Sequence, residues 1–181
     1  MPNERNQQPI HLGNAIDPDN VNETTLYYEG QLGAAHEWND RSYQRVKLDS
    51  GATSSTSVGV VAANQLAYWK DKDAYLVTND SAQAIGGQSA NGYRNFVAGV
   101  FRNAVTAGSY CDLLTAGDNI PIADGGNTFA VGESVIAEGA TAAAADRVAV
   151  GTAPTYQLLG YARGAASGGN VNVDVRIGPI P

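Results

Sequence analysis

Apolar positions in this chain come in short bursts, and glycine, asparagine or aspartate cuts nearly every one of them off. The bursts are Gln65–Trp69, Ala74–Thr78, Phe96–Phe101, Tyr110–Leu114, Phe129–Val131, Ser134–Ala137, Val148–Val150, Leu158–Ala162 and Val171–Ile177. Each has the length of a strand, and the last reads Val-Asn-Val-Asp-Val-Arg-Ile, the strict alternation of a strand with one buried face. Many short strands between turn residues predict a mainly β, mostly antiparallel domain, a small barrel or sandwich. Ala140–Asp146, with consecutive alanines at Ala142–Ala145, has helical composition. It is too short to stand alone and has little to pack, so it reads as a loop with one helical turn.

The first part of the chain follows another pattern. Residues 1 to about 25 are rich in Asn, Gln, Pro, Asp and Glu without apolar periodicity, which predicts an extended N-terminal arm with no core of its own. Thr24 to Leu48 reads as two strands broken near Gly33 and Asn39, and Asp49–Ser57 has the composition of a flexible connection. The expected organisation is an arm and extension over 1–57 and a β domain over 58–181. Tyr27, Tyr28, Trp38 and Tyr43 lie in the extension, outside the expected core. Aromatics so placed either dock on the same chain or form an interface, so these four and His36 are the interface candidates. Tyr68, Trp69 and Tyr75 read as core or inter-subunit contacts.

An internal repeat links two of the hairpins. Residues 98–114 align without gaps on 159–175, pairing Gly99 with Gly160, Arg102 with Arg163, Ala104 with Ala165 and Gly108 with Gly169. Both copies read strand, small residues, Gly-containing turn, strand. They are either pseudo-equivalent halves of a duplicated unit or two similar hairpins in a single barrel.

Charge and composition narrow the function. The 181 residues carry 11 Lys and Arg against 18 Asp and Glu, a net charge of −7, which opposes binding to a phosphate backbone. No basic run is present for anionic lipid, and no apolar stretch suits a membrane span or secretory signal, so synthesis in a cytoplasm is expected. Cys111 is the single cysteine and reads as a buried, inert thiol, since only His11 and His36 could activate it. Two histidines and one cysteine leave few of the ligands a zinc site usually takes, so no zinc site is expected. Asp17–Glu23 resembles a calcium loop but has Asn22 where the sharp turn needs glycine, and Pro18 at its entry. Glycine loops for nucleotides are missing, Ser54, Ser55 and Ser57 lack a nucleophile elbow, and nothing singles out a carboxylate pair. The expectation is no catalytic residue, no metal and no cofactor.

Four segments carry a resemblance: Asn64–Asp80, Phe96–Cys111, Val131–Val135 and Leu159–Val173. With their Gly-Val strand, Ala-Gly turn and late Leu-Gly-x-Ala before a Gly-rich turn and alternating strand, residues 58 to 178 resemble the head decoration, or cement, proteins of tailed bacteriophages. The resemblance implies a non-enzymatic virion protein, made in the host cytoplasm and assembled on the outer surface of the capsid. Its partners would be the major capsid protein and further copies of itself, as a dimer or trimer. Residues 1–50 fall outside the resemblance. Two alternatives are a fibre-base or spike protein that binds a host glycan or anchors another virion component, and a small carbohydrate-active enzyme.

Overall fold

The computed structural model describes residues 32–38, 40–52, 60–87, 89–138, 143–149 and 151–177. In chain order its elements are β1 (Ala35–Trp38), β2 (Arg41–Leu48), β3 (Val60–Val61), β4 (Leu66–Asp71), β5 (Leu76–Thr78), a 3-10 helix (Ser89–Asn95), β6 (Val97–Phe101), β7 (Val105–Thr106), β8 (Tyr110–Ala123), β9 (Ser134–Ala137), β10 (Ala145–Arg147), β11 (Gly160–Ala162) and β12 (Asn170–Arg176). The protein is mainly β, as its pattern of short apolar bursts predicts.

Five strands close a small barrel in the order β2–β5–β4–β6–β8 and back to β2. All neighbours are antiparallel except β2 and β5. Strand β8 is long enough to leave this barrel and enter a second ring, where its half from Ala116 onward pairs with β12. The second ring continues β12–β11–β9–β10, and a single parallel bridge from Ala145 to Asp124, just past β8, closes it.

The two rings repeat one design. Ala67 pairs with Gly99 as Val135 pairs with Gly160, and Trp69 with Val77 as Ala137 with Ala145. Phe101 pairs with Leu113 as Ala162 with Val173, and Val46 with Cys111 as Ile122 with Val171. Turn contacts repeat as well: Asn64 N donates to Phe101 O at 2.6 Å, and Gly132 N to Ala162 O at 2.7 Å. Asn64 and Gly132 are both left-handed, and so are Tyr75 and Ala143 at the tips of the equivalent β4–β5 and β9–β10 hairpins. The hairpin repeat is therefore part of a duplication of the whole five-strand unit, with β8 shared. The ungapped alignment slips by one residue in the turn, because Phe101–Leu113 corresponds to Ala162–Val173.

Two apolar clusters follow from this geometry. One fills the first barrel with Val46, Leu48, Trp69, Phe101, Cys111 and Leu113. Burying one side chain of this size contributes about 1.5–3 kcal/mol. Cys111 is buried there, as expected. The other fills the second ring with Ile122, Phe129, Val135, Leu159, Val171 and Val173, and runs on to the outer face of the first barrel at Tyr43, Leu66, Tyr68, Val100 and Leu114. The second unit thus packs on the outside of the first.

Several expectations change. Strand β2 belongs to the residues assigned to the extension, yet it is a wall of the first barrel, with Val46 and Leu48 fully buried. Its apolar face finds a core that β8 supplies from far along the chain. Phe129–Val131 is no strand: Phe129 is buried, but Val131 sits in the turn to Gly132 and is 79% exposed. In Ala140–Asp146, the described residues contain a left-handed Ala143 and the start of β10. Ala144 and Ala145 are buried and Ala145 pairs with Ala137 of β9, so tertiary packing overrides helix propensity. Ser54, Ser55 and Ser57 lie outside the described residues.

Candidate interaction surface

At one end of the first barrel the β1–β2 hairpin and the β4–β5 tip stand apart, and between them lies a cleft of about 450 Å³. Register sets the hairpin: His36 lies opposite Tyr43 and Trp38 opposite Arg41, with Asp40 left-handed at its turn. The tip is held by Asp71, whose Oδ1 accepts the N–H groups of Asp73 at 3.0 Å and Ala74 at 3.1 Å. Behind it Tyr75 packs edge-on to Trp69, ring centroids 6.3 Å apart, and Gly33 lies against the tyrosine ring. Trp69, Tyr75, Val97, Ala98 and Ile177 give the cleft apolar walls, while Ser42, Gln44, Thr115, Lys72 and Asp73 add polar groups. Thr115 Oγ1 donates to Ser42 O at 3.1 Å and keeps its own lone pairs as acceptors.

The same end of the second unit is filled. Gln44 corresponds to Ile120, Ala98 to Leu159 and Thr115 to Val175, and the second-unit residues are fully buried. Trp69 and Tyr75 correspond to Ala137 and Ala143, also buried.

A polar seam joins the two units. Arg94 Nε donates to Ala137 O at 2.6 Å, its Nη2 stands 3.6 Å from Asp146, and its guanidinium lies over the Tyr156 ring at 4.0 Å. Tyr93 Oη donates to Glu138 O at 2.9 Å, and Ala143 N donates to Tyr68 Oη at 3.0 Å. Burial pushes the Tyr68 and Tyr93 phenols up, so both stay neutral. Burial also raises the Asp146 carboxyl against the opposing pull of the Arg147 amide and Arg94.

The outer face of the second unit is different again. Among the described residues, Val131 and Tyr161, 79% and 50% exposed, are the large apolar side chains in water. Beside Tyr161, Arg163 Nε bonds Asp174 at 2.6 Å, and Arg176 reaches Asp118 at 2.7 Å. The Arg163 hydrogen bond holds the Asp174 carboxyl below the usual range.

Of the residues expected at an interface, Tyr27 and Tyr28 lie outside the described residues, and His36 and Trp38 occupy β1 beside the cleft. Tyr43 edges the cleft but is 1% exposed in the core between the units, so it is a packing residue first. It found a core because the second unit covers it, a contact between distant stretches that no local pattern records. Sequence reasoning missed Gln44, Ala98 and Thr115. The signal was their difference from Ile120, Leu159 and Val175, readable only once the repeat is extended beyond its one recognisable hairpin.

Among the described residues no three His, Cys, Asp or Glu side chains converge on a metal position, and no helix is long and apolar enough to cross a membrane. Comparisons with known protein families, curated proteins and solved structures find no match.

Proposed function

We propose that this is a non-enzymatic structural protein of a phage virion, binding the outer surface of the head and bridging neighbouring major capsid subunits. The observation that carries the reading is the exposed pair Val131 and Tyr161 on a stiff β scaffold, with Arg163 and Asp174 alongside. Tyrosine and arginine are enriched among the anchors that a partner buries on binding, and Tyr161 stands exposed beside Arg163. The resemblance of residues 58–178 to decoration proteins supplies the partner, and the acidic charge keeps the free protein off packaged DNA. A protein that binds the expanded shell and not its precursor stabilises the shell by linkage, and many weak copies add through avidity. Assembly as a homo-oligomer would multiply those contacts.

Counting copies in purified particles against the major shell subunit by quantitative mass spectrometry tests this. A ratio near one-to-one, or a simple fraction of it, supports a lattice-wide cement. A few per cent moves the protein to a fibre or vertex, and absence from particles removes the virion role. Deleting residues 1–31, which precede β1, is expected to abolish capsid binding while circular dichroism shows the β fold retained; full binding by that truncation would refute an anchoring role for the arm.

A further inference from the structure

The duplication supplies an internal control for the cleft. One fold position, built twice in the same register, is closed by Ile120, Leu159 and Val175 in one unit and left hollow over Gln44, Ala98 and Thr115 in the other. The fold does not require the cavity, since the second unit is complete without it. Its volume of about 450 Å³ lies within the range of small-molecule sites.

We propose that this cleft binds a neutral sugar ring. A pyranose has a C–H face and a rim of hydroxyls, and the lining is divided in the same way. The half-buried Tyr75 ring and the exposed edges of the largely buried Trp69, Val97 and Ala98 form the apolar side, while the Gln44 amide, the Thr115 oxygen and the Asp73 carboxylate add polar groups. Polar groups among the walls disfavour an alkyl chain, because its entry would strip them of water. Among the described residues Lys72 is the cation of the lining and has Asp73 beside it, within a chain of net charge −7, which disfavours a phosphate or other anion. This inference is independent of the cement reading: copy number decides that one and leaves the cleft untouched.

The test is NMR on the full chain, following the Trp69 indole and Tyr75 ring while glucose, galactose, mannose or N-acetylglucosamine is added, and then maltohexaose as a glycan chain. At least one sugar is expected to shift both residues with millimolar affinity. Response to a free hexose assigns a monosaccharide site, and response to the chain alone assigns a segment of a glycan. The triple variant Gln44→Ile, Ala98→Leu, Thr115→Val carries the second unit's own residues and should bind about tenfold more weakly or not at all. Lys72→Ala with Asp73→Ala, on the exposed tip, gives the same reading should the filled variant misfold. No shift with any of the sugars, or binding undiminished in whichever of these variants folds, overturns the proposal.

Discussion

The first and second barrels share ring order, register and turn geometry, yet their outer faces are built from opposite residues. Tyr43, Leu66, Val100 and Leu114 are buried on the first, where the second unit covers them. The matching positions on the second are Asn119, Ser134, Tyr161 and Asp174, and they face water or lie half-buried. The ends contrast the other way: the first barrel is hollow at its cleft and the second is filled. Strand register follows from backbone pairing and survives in both units, whereas side-chain character follows from what each face meets. Polar residues on the uncovered outer face of a repeat keep that face soluble.

The equivalence is broken most severely at the paired glycines. Gly160 has φ +153°, and a Cβ there would collide with the Asp174 carbonyl oxygen, so Gly160→Ala is expected to cost about 3 kcal/mol or more. A Cβ at Gly99 would stand 2.8 Å from Leu114 O and from Leu113 Cβ, without the backbone penalty. Gly99→Ala should cost about 1–3 kcal/mol. Urea unfolding of both variants measures the difference, and a Gly99→Ala that harms the fold more than Gly160→Ala would deny that positive φ and the Asp174 carbonyl set the larger cost at Gly160.

The seam sharpens the comparison next, because it is the contact the second unit has and the first lacks at the same hairpin tip. Arg94→Ala leaves the Ala137 carbonyl without its donor and Asp146 without its cation, and is expected to cost about 2–3 kcal/mol. Tyr93→Phe removes the bond to Glu138 O and should cost about 1 kcal/mol. Thermal or urea midpoints order the two. An Arg94→Ala protein as stable as the parent would mean that apolar packing alone joins the units.

Much of this was legible in the residues, for identifiable reasons. The β6–β8 and β11–β12 hairpins kept Gly99 and Gly160 because close strand approach leaves no room for a Cβ, so the repeat shows there. Elsewhere the copies share register without sharing residues: Leu66-Ala-Tyr-Trp69 matches Ser134-Val-Ile-Ala137, and Leu76-Val-Thr78 matches Ala144-Ala-Asp146. Leu66 and Tyr68 are buried in the cluster shared with the second unit, whereas Ser134 on the matching strand is only half-buried, so equivalent positions meet different surroundings. The cleft was hidden for the same reason, and β2 because its core partner, β8, lies more than sixty residues away.

The smallest effect separates seam from outer face by pH. Asp146 in the seam has its carboxyl raised above 3.8 by burial, so the folded state binds its proton more tightly than the unfolded chain. Its contribution to stability is largest below 3.8 and falls as pH rises through the raised value. Asp174 on the outer face has its carboxyl lowered by Arg163, so its contribution is present above 3.8 and lost as pH falls through the lowered value. The two units therefore contribute opposite slopes. Urea midpoints between about pH 3 and 6 should rise more steeply with pH in Asp146→Asn than in the parent, and less steeply in Asp174→Asn. Asp146 is only partly buried, so solvent screening holds its share to about 0.5 kcal/mol or less. An Asp146→Asn slope identical to the parent's would place that carboxylate in water and leave the seam to Arg94, Tyr93 and the backbone of the β9–β10 hairpin.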